Sequence, residues 1–240
     1  MTELNFKCGN PGAVQFGNFI NYYQFHPPDK RITMLPKDIW DMVGQGTKYW
    51  ALDVGCNAGD LTIALYDFLN QKESSKKCNI LGIDIDPMLI QRANEKNHSD
   101  SIVFKCIDIM ADQAPDDIIK EYLKPNQKTQ FNIVFCFSIT MWIHLNHGDE
   151  GLRQFLKKIT DISNFLIIEP QPWKCYKTAV KRFKLGKSEF PKFQELKIRQ
   201  KVEEEIEKFI MEECDFDKTE ESYRTEWGRK LLFFRRKNVQ

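Results

Sequence analysis

The sequence predicts an α/β protein built around a doubly wound, mostly parallel sheet with helices on both faces. Three observations lead there. Apolar runs alternate with stretches of helical periodicity across residues 49–169. The runs are continuously hydrophobic rather than alternating, as strands buried on both faces must be. A glycine-bearing loop follows the first run, at the strand-to-helix junction where open sheets of this kind bind ligands.

The first strand is expected over residues 49–56 (YWALDVGC), with a helix over about 59–70. The second is expected over 79–84 (NILGID). Its helix opens at Pro87, because proline in the first turn forfeits no hydrogen bond and has its φ preset. The third strand, 102–108 (IVFKCID), leads to a helix around 116–123. The fourth, 131–138 (FNIVFCFS), leads to a helix over 149–161, and the fifth spans 164–169 (NFLIIE). Right-handed crossovers make this a Rossmann-like sheet. Residues 193–214 then read as a helix with a charged outer face. Residues 219–224 and 231–235 read as two strands joined near 226–228, an antiparallel hairpin that brings the sheet to seven strands. Residues 71–77 (QKESSKK) read as a polar surface loop.

A length of 240 residues suits one α/β domain spanning 1–240, with 1–48 as an N-terminal segment serving substrate and cofactor. Hydrophobic residues at 42% and charged residues at 29% are ordinary for a chain with a buried core. The formal net charge of +1 points to no partner, so any basic surface must come from local clustering. Residues 1–10 lack the basic start and apolar run of a signal peptide, and no apolar run approaches bilayer length, so no membrane role is expected. The seven cysteines form no C-x-x-C pair. Cys56, Cys106 and Cys136 fall in strand-like runs and are expected buried and reduced, which implies a cytoplasmic or nuclear location. No metal is expected. His144 and His147 are three apart, but no convergent cysteine or acidic cluster supports them as ligands.

The loop itself reads Asp53-Val-Gly-Cys-Asn-Ala-Gly59. Gly55 and Gly59 allow a sharp turn and close backbone approach to a ligand. The phosphate-loop and full dinucleotide fingerprints are both absent. An acid followed by G-x-N-x-G is the loop of proteins that bind S-adenosylmethionine; a tight turn without a ligand is the plain alternative. Two further acids end strands. Asp84 could accept both ribose hydroxyls, and Asp108 could accept the adenine amino group. Asp86, directly before Pro87, is expected to cap a helix instead.

The fourth strand is followed by Trp142-Ile-His-Leu-Asn-His-Gly-Asp-Glu-Gly151 and the fifth by Glu169-Pro-Gln-Pro-Trp173, with Phe16-Gly-Asn-Phe-x-x-Tyr-Tyr23 near the start. In these segments the chain resembles the bicoid-interacting-protein-3 family of RNA methyltransferases, which have a class I methyltransferase fold. Phe25-His-Pro-Pro28 through Arg31, and Cys175-Tyr176, are similar to the branch that acts on 5′-monophosphate ends. The resemblance implies S-adenosylmethionine as cofactor and a small RNA with a 5′-monophosphate as partner, histidine tRNA or a microRNA precursor. It implies that Arg31 and Asn57 hold the methionine end, Asp84 the ribose, Asp108 and Ile109 the adenine, with Phe137 lining the pocket. Methylation of the γ-phosphate of triphosphate-ended RNA is the alternative activity, and an RNA-binding module with a vestigial cofactor pocket is the non-enzymatic one. Intact Asp53, Gly55, Asn57, Asp84 and Asp108 weigh against the latter.

A terminal phosphate is mostly dianionic at neutral pH, since its second pKa is near about 6, so no dedicated catalytic base is expected. Tyr22 and Tyr23 are expected to donate to the phosphate. His144 and Asn146 are expected beside the methyl group on a loop after the fourth strand, with Gln171 and Trp173 at the same mouth. Trp173 reads either as a stacking platform for the terminal base or as a core aromatic. Lys174, Lys177, Lys181 and Lys184 recur at helical spacing, a basic stripe that could follow an RNA backbone or be a solvated face. The expected protein is a monomer.

Overall fold

A computed structural model describes residues 15–44, 46–70, 76–112 and 114–237. The N-terminal segment carries three short helices, α1 (Tyr22–Phe25), α2 (Pro28–Ile32) and α3 (Ile39–Val43). Then follow β1 (Lys48–Val54), α4 (Asp60–Leu69), β2 (Lys77–Asp84), α5 (Pro87–Lys96), β3 (Ile102–Cys106), α6 (Ala114–Leu123), β4 (Phe131–Phe137), α7 (Thr140–Asp161) and β5 (Ser163–Glu169). The chain closes with α8 (Trp173–Leu185), α9 (Val202–Glu213), β6 (Phe216–Glu221) and β7 (Leu232–Arg236).

The strands form one seven-stranded sheet in the order β3-β2-β1-β4-β5-β7-β6. The first five are parallel; β7 joins β5, and β6 joins β7, antiparallel. This is the expected doubly wound, mostly parallel sheet with its closing antiparallel hairpin. The order reverses direction at β1 and β4, so the carboxyl ends of those two strands flank the crevice where such sheets bind ligands.

Continuous hydrophobicity has a direct structural reading. Along β1, β4 and β5 alternate residues enter two cores, one on each face. Leu52, Val134 and Leu166 pack on one side with Leu152, Phe155 and Ile159 of α7. Ala51, Phe135 and Ile167 pack on the other with Leu61, Leu65 and Leu69 of α4. Both faces must therefore be apolar, and truncating any of these leucine or phenylalanine side chains to alanine would cost about 2–5 kcal/mol.

Three expectations need correction. The helix expected over 149–161 is present, but a further helical stretch from Thr140 precedes it where a loop was expected. The two helical stretches of α7 are separated by a kink at Gly148, which is non-helical at φ 75° and ψ −174°, a conformation glycine adopts without steric cost. The helix expected over 193–214 begins only at Val202. Upstream, the Asp149 carboxylate accepts from the backbone N–H of Lys197 (2.8 Å) and Ile198 (3.3 Å), and Arg199 donates to the carbonyls of Leu196 and Gln194. Side chains thus take the backbone groups that a helix would use. Cys56 and Cys136 are buried as expected, but Cys106 is exposed at the end of β3. Residues 1–10, and 71–75 of the expected polar loop, lie outside the described residues; Lys77 opens β2. No described helix is long and apolar enough to cross a membrane.

Candidate functional site

At the β1 end, Gly55, Asn57 and Gly59 all take positive φ, of 80°, 51° and 82°. The turn is fixed by Gly55 N–H and Cys56 N–H donating to the Ile83 carbonyl at 2.8 and 3.0 Å. A Cβ on Gly55 would lie 3.0 Å from Ile139 Cδ1 at the cavity wall. Gly59 serves packing instead: a Cβ there would come within 2.8 Å of the Phe104 ring, and Gly59 is not on the wall.

The cavity beside this loop is walled by Asp53, Gly55, Asn57, Asp84, Asp108, Ile109 and Phe137 from the sheet, and by Tyr22, Tyr23 and Arg31 from the N-terminal segment. Asp84 accepts Asn57 N–H on Oδ2 (2.9 Å) and Asp86 N–H on Oδ1 (3.0 Å), which leaves a lone pair on each oxygen. Burial raises its pKa to about 6, against the lowering effect of those two N–H groups. Burial likewise raises Asp53 to about 6, although Thr62 donates to it at 2.6 Å. Asp108 is exposed and uses Oδ1 for Met110 N–H. Asp86 caps α5 as expected, accepting from Met88 and Leu89 N–H, and also receives Asn18 Nδ2 at 2.7 Å. That bond, with Asn57 Nδ2 to Phe19 O (3.0 Å) and Tyr23 OH to Cys56 O (3.3 Å), ties the N-terminal segment over the loop. The enclosed volume is about 100 Å³, below the roughly 300–1,000 Å³ of ligand sites, so the segment's position sets how wide the cavity opens.

Arg31 is fully buried, and its expected role needs qualification. Its Nε and Nη2 grip Glu169 at 3.1 and 2.9 Å, and Nη2 also reaches Tyr22 OH (2.8 Å) and Ser138 Oγ (3.0 Å). Only Nη1, with a long 3.4 Å contact to His26 O, has donor capacity to spare for a methionine carboxylate. Glu169 would be raised by burial, but Arg31 and then Arg229 more than offset this and hold it below its ordinary range. Ser138 sits at φ 57°, a strained conformation for a non-glycine residue, and donates to Glu169.

A second cavity of about 470 Å³ adjoins the first and shares Tyr22, Ser138 and Trp142 with it. Its other walls include Phe25, His26, Gln171, Lys174, Arg182 and Arg229, with no acid among the described residues lining it. Gln171 is buried, accepting from Thr140 Oγ1 (3.0 Å) and Met141 N–H (3.1 Å) and donating to Ser138 O. Lys177 and Lys181 are exposed on α8; by helical angle they lie beside the face that Lys174, Thr178 and Arg182 turn to the cavity.

Two expected site residues point elsewhere. Because residues 140–147 are helical, Ile139, Trp142, Ile143, Asn146 and His147 share the face that lines the first cavity, and His144 lies opposite. His144 is wholly buried, paired through Nε2 with Asp149 (2.7 Å) and through Nδ1 with Tyr176 OH (3.0 Å). It is a packing bridge between α7, α8 and the 197–198 backbone, not a neighbour of the reacting centre. Burial lowers its pKa despite Asp149. Trp173 stacks on Phe193 at 5.6 Å and 9°, under the Arg199 guanidinium, so it is the core aromatic and lies on neither cavity. Asn146 does reach the first cavity and ties Gln15 O at 2.9 Å.

The sheet and this crevice define a class I S-adenosylmethionine-dependent methyltransferase. The methyltransferase-domain model matches residues 52–163. The N-methyltransferase NodS of Bradyrhizobium japonicum WM9, solved with S-adenosyl-L-homocysteine, shares the fold at a TM-score of 0.57 and 14% identity, covering 88% of this chain and 89% of that one. The chain's own residues fit the cofactor: Asp84 offers two oxygens for vicinal hydroxyls, and Gly55 presents backbone without a Cβ at the cavity wall.

Within that class, the bicoid-interacting protein 3 family model matches residues 131–236. A Danio rerio protein named pre-miRNA 5′-monophosphate methyltransferase is 38% identical over 239 residues, 95% of this chain and 94% of that one. A Homo sapiens protein named RNA 5′-monophosphate methyltransferase is 38% identical over 242 residues, 95% of this chain and 83% of that one. The chain belongs to the bicoid-interacting protein 3 family.

Sequence reasoning missed Arg229, His26, Ser138, Glu169, Trp142 and His147. The last two were recoverable: had residues 140–147 been read as helix, the spacing of Asn146 from Trp142 and Ile139 would have placed them. The other four are joined by contacts such as Arg31 to Glu169 and Arg229 to Ser138, which no local pattern encodes.

Proposed function

We propose that the chain methylates the terminal phosphate of RNAs that end in a 5′-monophosphate, microRNA precursors and histidine tRNA being the substrates to examine first. One observation carries this beyond the names of the relatives. The cavity adjoining the cofactor site is walled by Lys174, Arg182 and Arg229 with no acid among the described residues lining it, as an acceptor site for a dianion requires.

S-adenosylmethionine supplies an electrophilic methyl group on a sulfonium. Asp84 orients the nucleoside end and loop 55–59 admits the backbone-close part of the cofactor. Tyr22 and Ser138, on the wall common to both cavities, fix where a phosphate oxygen meets the first cavity. The phosphate is ionised at neutral pH and needs no proton removed. The protein's contribution is alignment and exclusion of water, and positioning of this kind supplies up to roughly 7–11 kcal/mol. Phe25, 60% exposed at the rim, takes the stacking role expected of Trp173. Lys177 and Lys181 meet the following backbone phosphates.

The test uses radiolabelled methyl groups and one RNA prepared with a 5′-monophosphate, a 5′-triphosphate or a 5′-hydroxyl. Label is expected in the monophosphate form. Equal labelling of the hydroxyl form would overturn the reading, and preference for the triphosphate would replace it with γ-phosphate methylation.

A further inference from the structure

Resting on the reading of the second cavity as the acceptor site, we propose that Arg229 grips the substrate's terminal phosphate through the Nε and Nη2 edge of its guanidinium. The closing hairpin of the sheet thereby supplies the residue that recognises a phosphorylated end.

The turn before β7 places it. Gly228 N–H donates to Thr225 O and Thr225 N–H to Arg229 O, both at 2.7 Å, and Arg229 N–H donates to Thr225 Oγ1 at 3.1 Å. Gly228 has φ 80°, and a Cβ there would fall 2.6 Å from Lys174 Nζ. The turn is thus pressed beneath a second cation of the same cavity.

Arg229 is 8% exposed and makes no ion pair with a described carboxylate at 4.0 Å or less. Nη1 donates to Ser138 Oγ at 2.6 Å and Tyr22 OH at 3.4 Å. Nη2 has only the Cys175 sulfur at 3.9 Å, and Nε is buried without a partner among the described residues. The Nε–H and Nη2–H bonds of a guanidinium are parallel and form its bidentate edge for carboxylate or phosphate. Arg31, alongside, shows what that edge does here: it holds Glu169. The corresponding edge of Arg229 has no oxygen partner among the described residues.

His26 adds an independent sign. Its Nδ1 is also buried without a described partner and lines the same cavity. The ring is stacked on Tyr22 at 4.9 Å and edged by Trp227 at 5.0 Å, and the charged groups acting on it are Arg229, Arg31 and Glu169. Burial, then Arg229 and Arg31, lower its pKa to about 4. A dianion on Arg229 would offset the part of that lowering which the two guanidiniums supply, leaving the larger effect of burial. Since Nη1 is bonded to Ser138 and Tyr22, which line the cofactor cavity, a phosphate held on the opposite edge stays close to the methyl donor's site.

The experiment compares binding of one oligonucleotide with a 5′-monophosphate and with a 5′-hydroxyl, to wild type, Arg229→Gln and Arg229→Lys. Wild type is expected to prefer the phosphorylated form. Arg229→Gln should reduce that preference roughly tenfold or more, with affinity for the hydroxyl form and for S-adenosylmethionine unchanged, and Arg229→Lys should restore part of it. Retention of the full preference in Arg229→Gln, or equal weakening of both forms, overturns the proposal. Absence of any preference in wild type would instead overturn the reading of the cavity. Should the variants not fold, the wild type decides by NMR. Guanosine 5′-monophosphate should raise the His26 pKa above its free value of about 4, and guanosine should not; an unchanged value at saturation overturns the proposal.

Discussion

Replacing Glu169 with glutamine tests the charge balance at the centre of the site. Glu169 and Arg31 are both fully buried and paired at 2.9 Å. The carboxylate also receives Ser138 Oγ and, at 3.4 Å, Trp227 Nε1, and its charge stabilises the Arg229 guanidinium. Glutamine keeps the shape and removes the counter-charge, so two buried guanidiniums face each other across Ser138. Removing one partner of a buried pair costs roughly 3–5 kcal/mol, because the charge left behind stays desolvated. A total stability of about 5–15 kcal/mol would lose a large share. At about 2–4 °C per kcal/mol for a chain of this size, the melting temperature should fall by roughly 6–20 °C. Urea unfolding followed by circular dichroism, with scanning calorimetry, measures both. The pH dependence adds a signature. Arg31 and Arg229 depress the folded-state pKa of Glu169 below 4.5, so its contribution is present above about pH 4.5 and lost as pH falls through the folded value. The gap between wild type and Glu169→Gln should therefore close in acid. A loss below about 1 kcal/mol, with a gap that does not vary with pH, would refute the reasoning.

Four other outcomes follow from the geometry. Asp84→Asn should weaken S-adenosylmethionine binding about 10–100-fold by calorimetry; in wild type the affinity should fall as pH drops through about 6, where burial lets Asp84 take up a proton, and the variant should show a smaller step, the remainder belonging to Asp53. His144→Gln should cost about 1–3 kcal/mol in urea unfolding by stranding Asp149 and Tyr176, with cofactor affinity unchanged, since the imidazole is not on the cavity wall. Gly17→Ala should destabilise by at least about 2 kcal/mol, because φ is 72° and the new Cβ would fall 2.1 Å from the Trp142 indole. Phe25→Ala should leave stability within about 0.5 kcal/mol and weaken RNA binding by about 1–3 kcal/mol in a fluorescence anisotropy titration.

The sheet was legible because burial on both faces writes itself into sequence as unbroken apolar runs, and β1, β4 and β5 are such runs. The glycine loop was legible for a similar reason: positive φ at Gly55 and Gly59 demands a residue type. Helix ends were less so. Whether residues 193–201 coil or wind depends on Asp149, some fifty positions away, reaching their backbone. His144 shows the same limit in the site. A histidine within a motif reads as chemistry, but the angle of one helix decides whether it faces a ligand or Tyr176. Arg229 was invisible because its meaning comes from Ser138 and Tyr22, on other elements, and from the partner its guanidinium edge lacks.

The wall common to the two cavities has a thermodynamic consequence. Tyr22, Ser138 and Trp142 border both, and the N-terminal segment that carries Tyr22 sets the width of the narrower one. A cofactor that displaces this segment therefore reshapes the acceptor side before any RNA arrives. Binding free energies are reciprocal, so whatever factor the cofactor imposes on RNA affinity, the RNA must impose on cofactor affinity. Loss of the methyl group converts one ligand of this wall into another, and turnover can alter the hold on the product RNA from across a single layer of side chains.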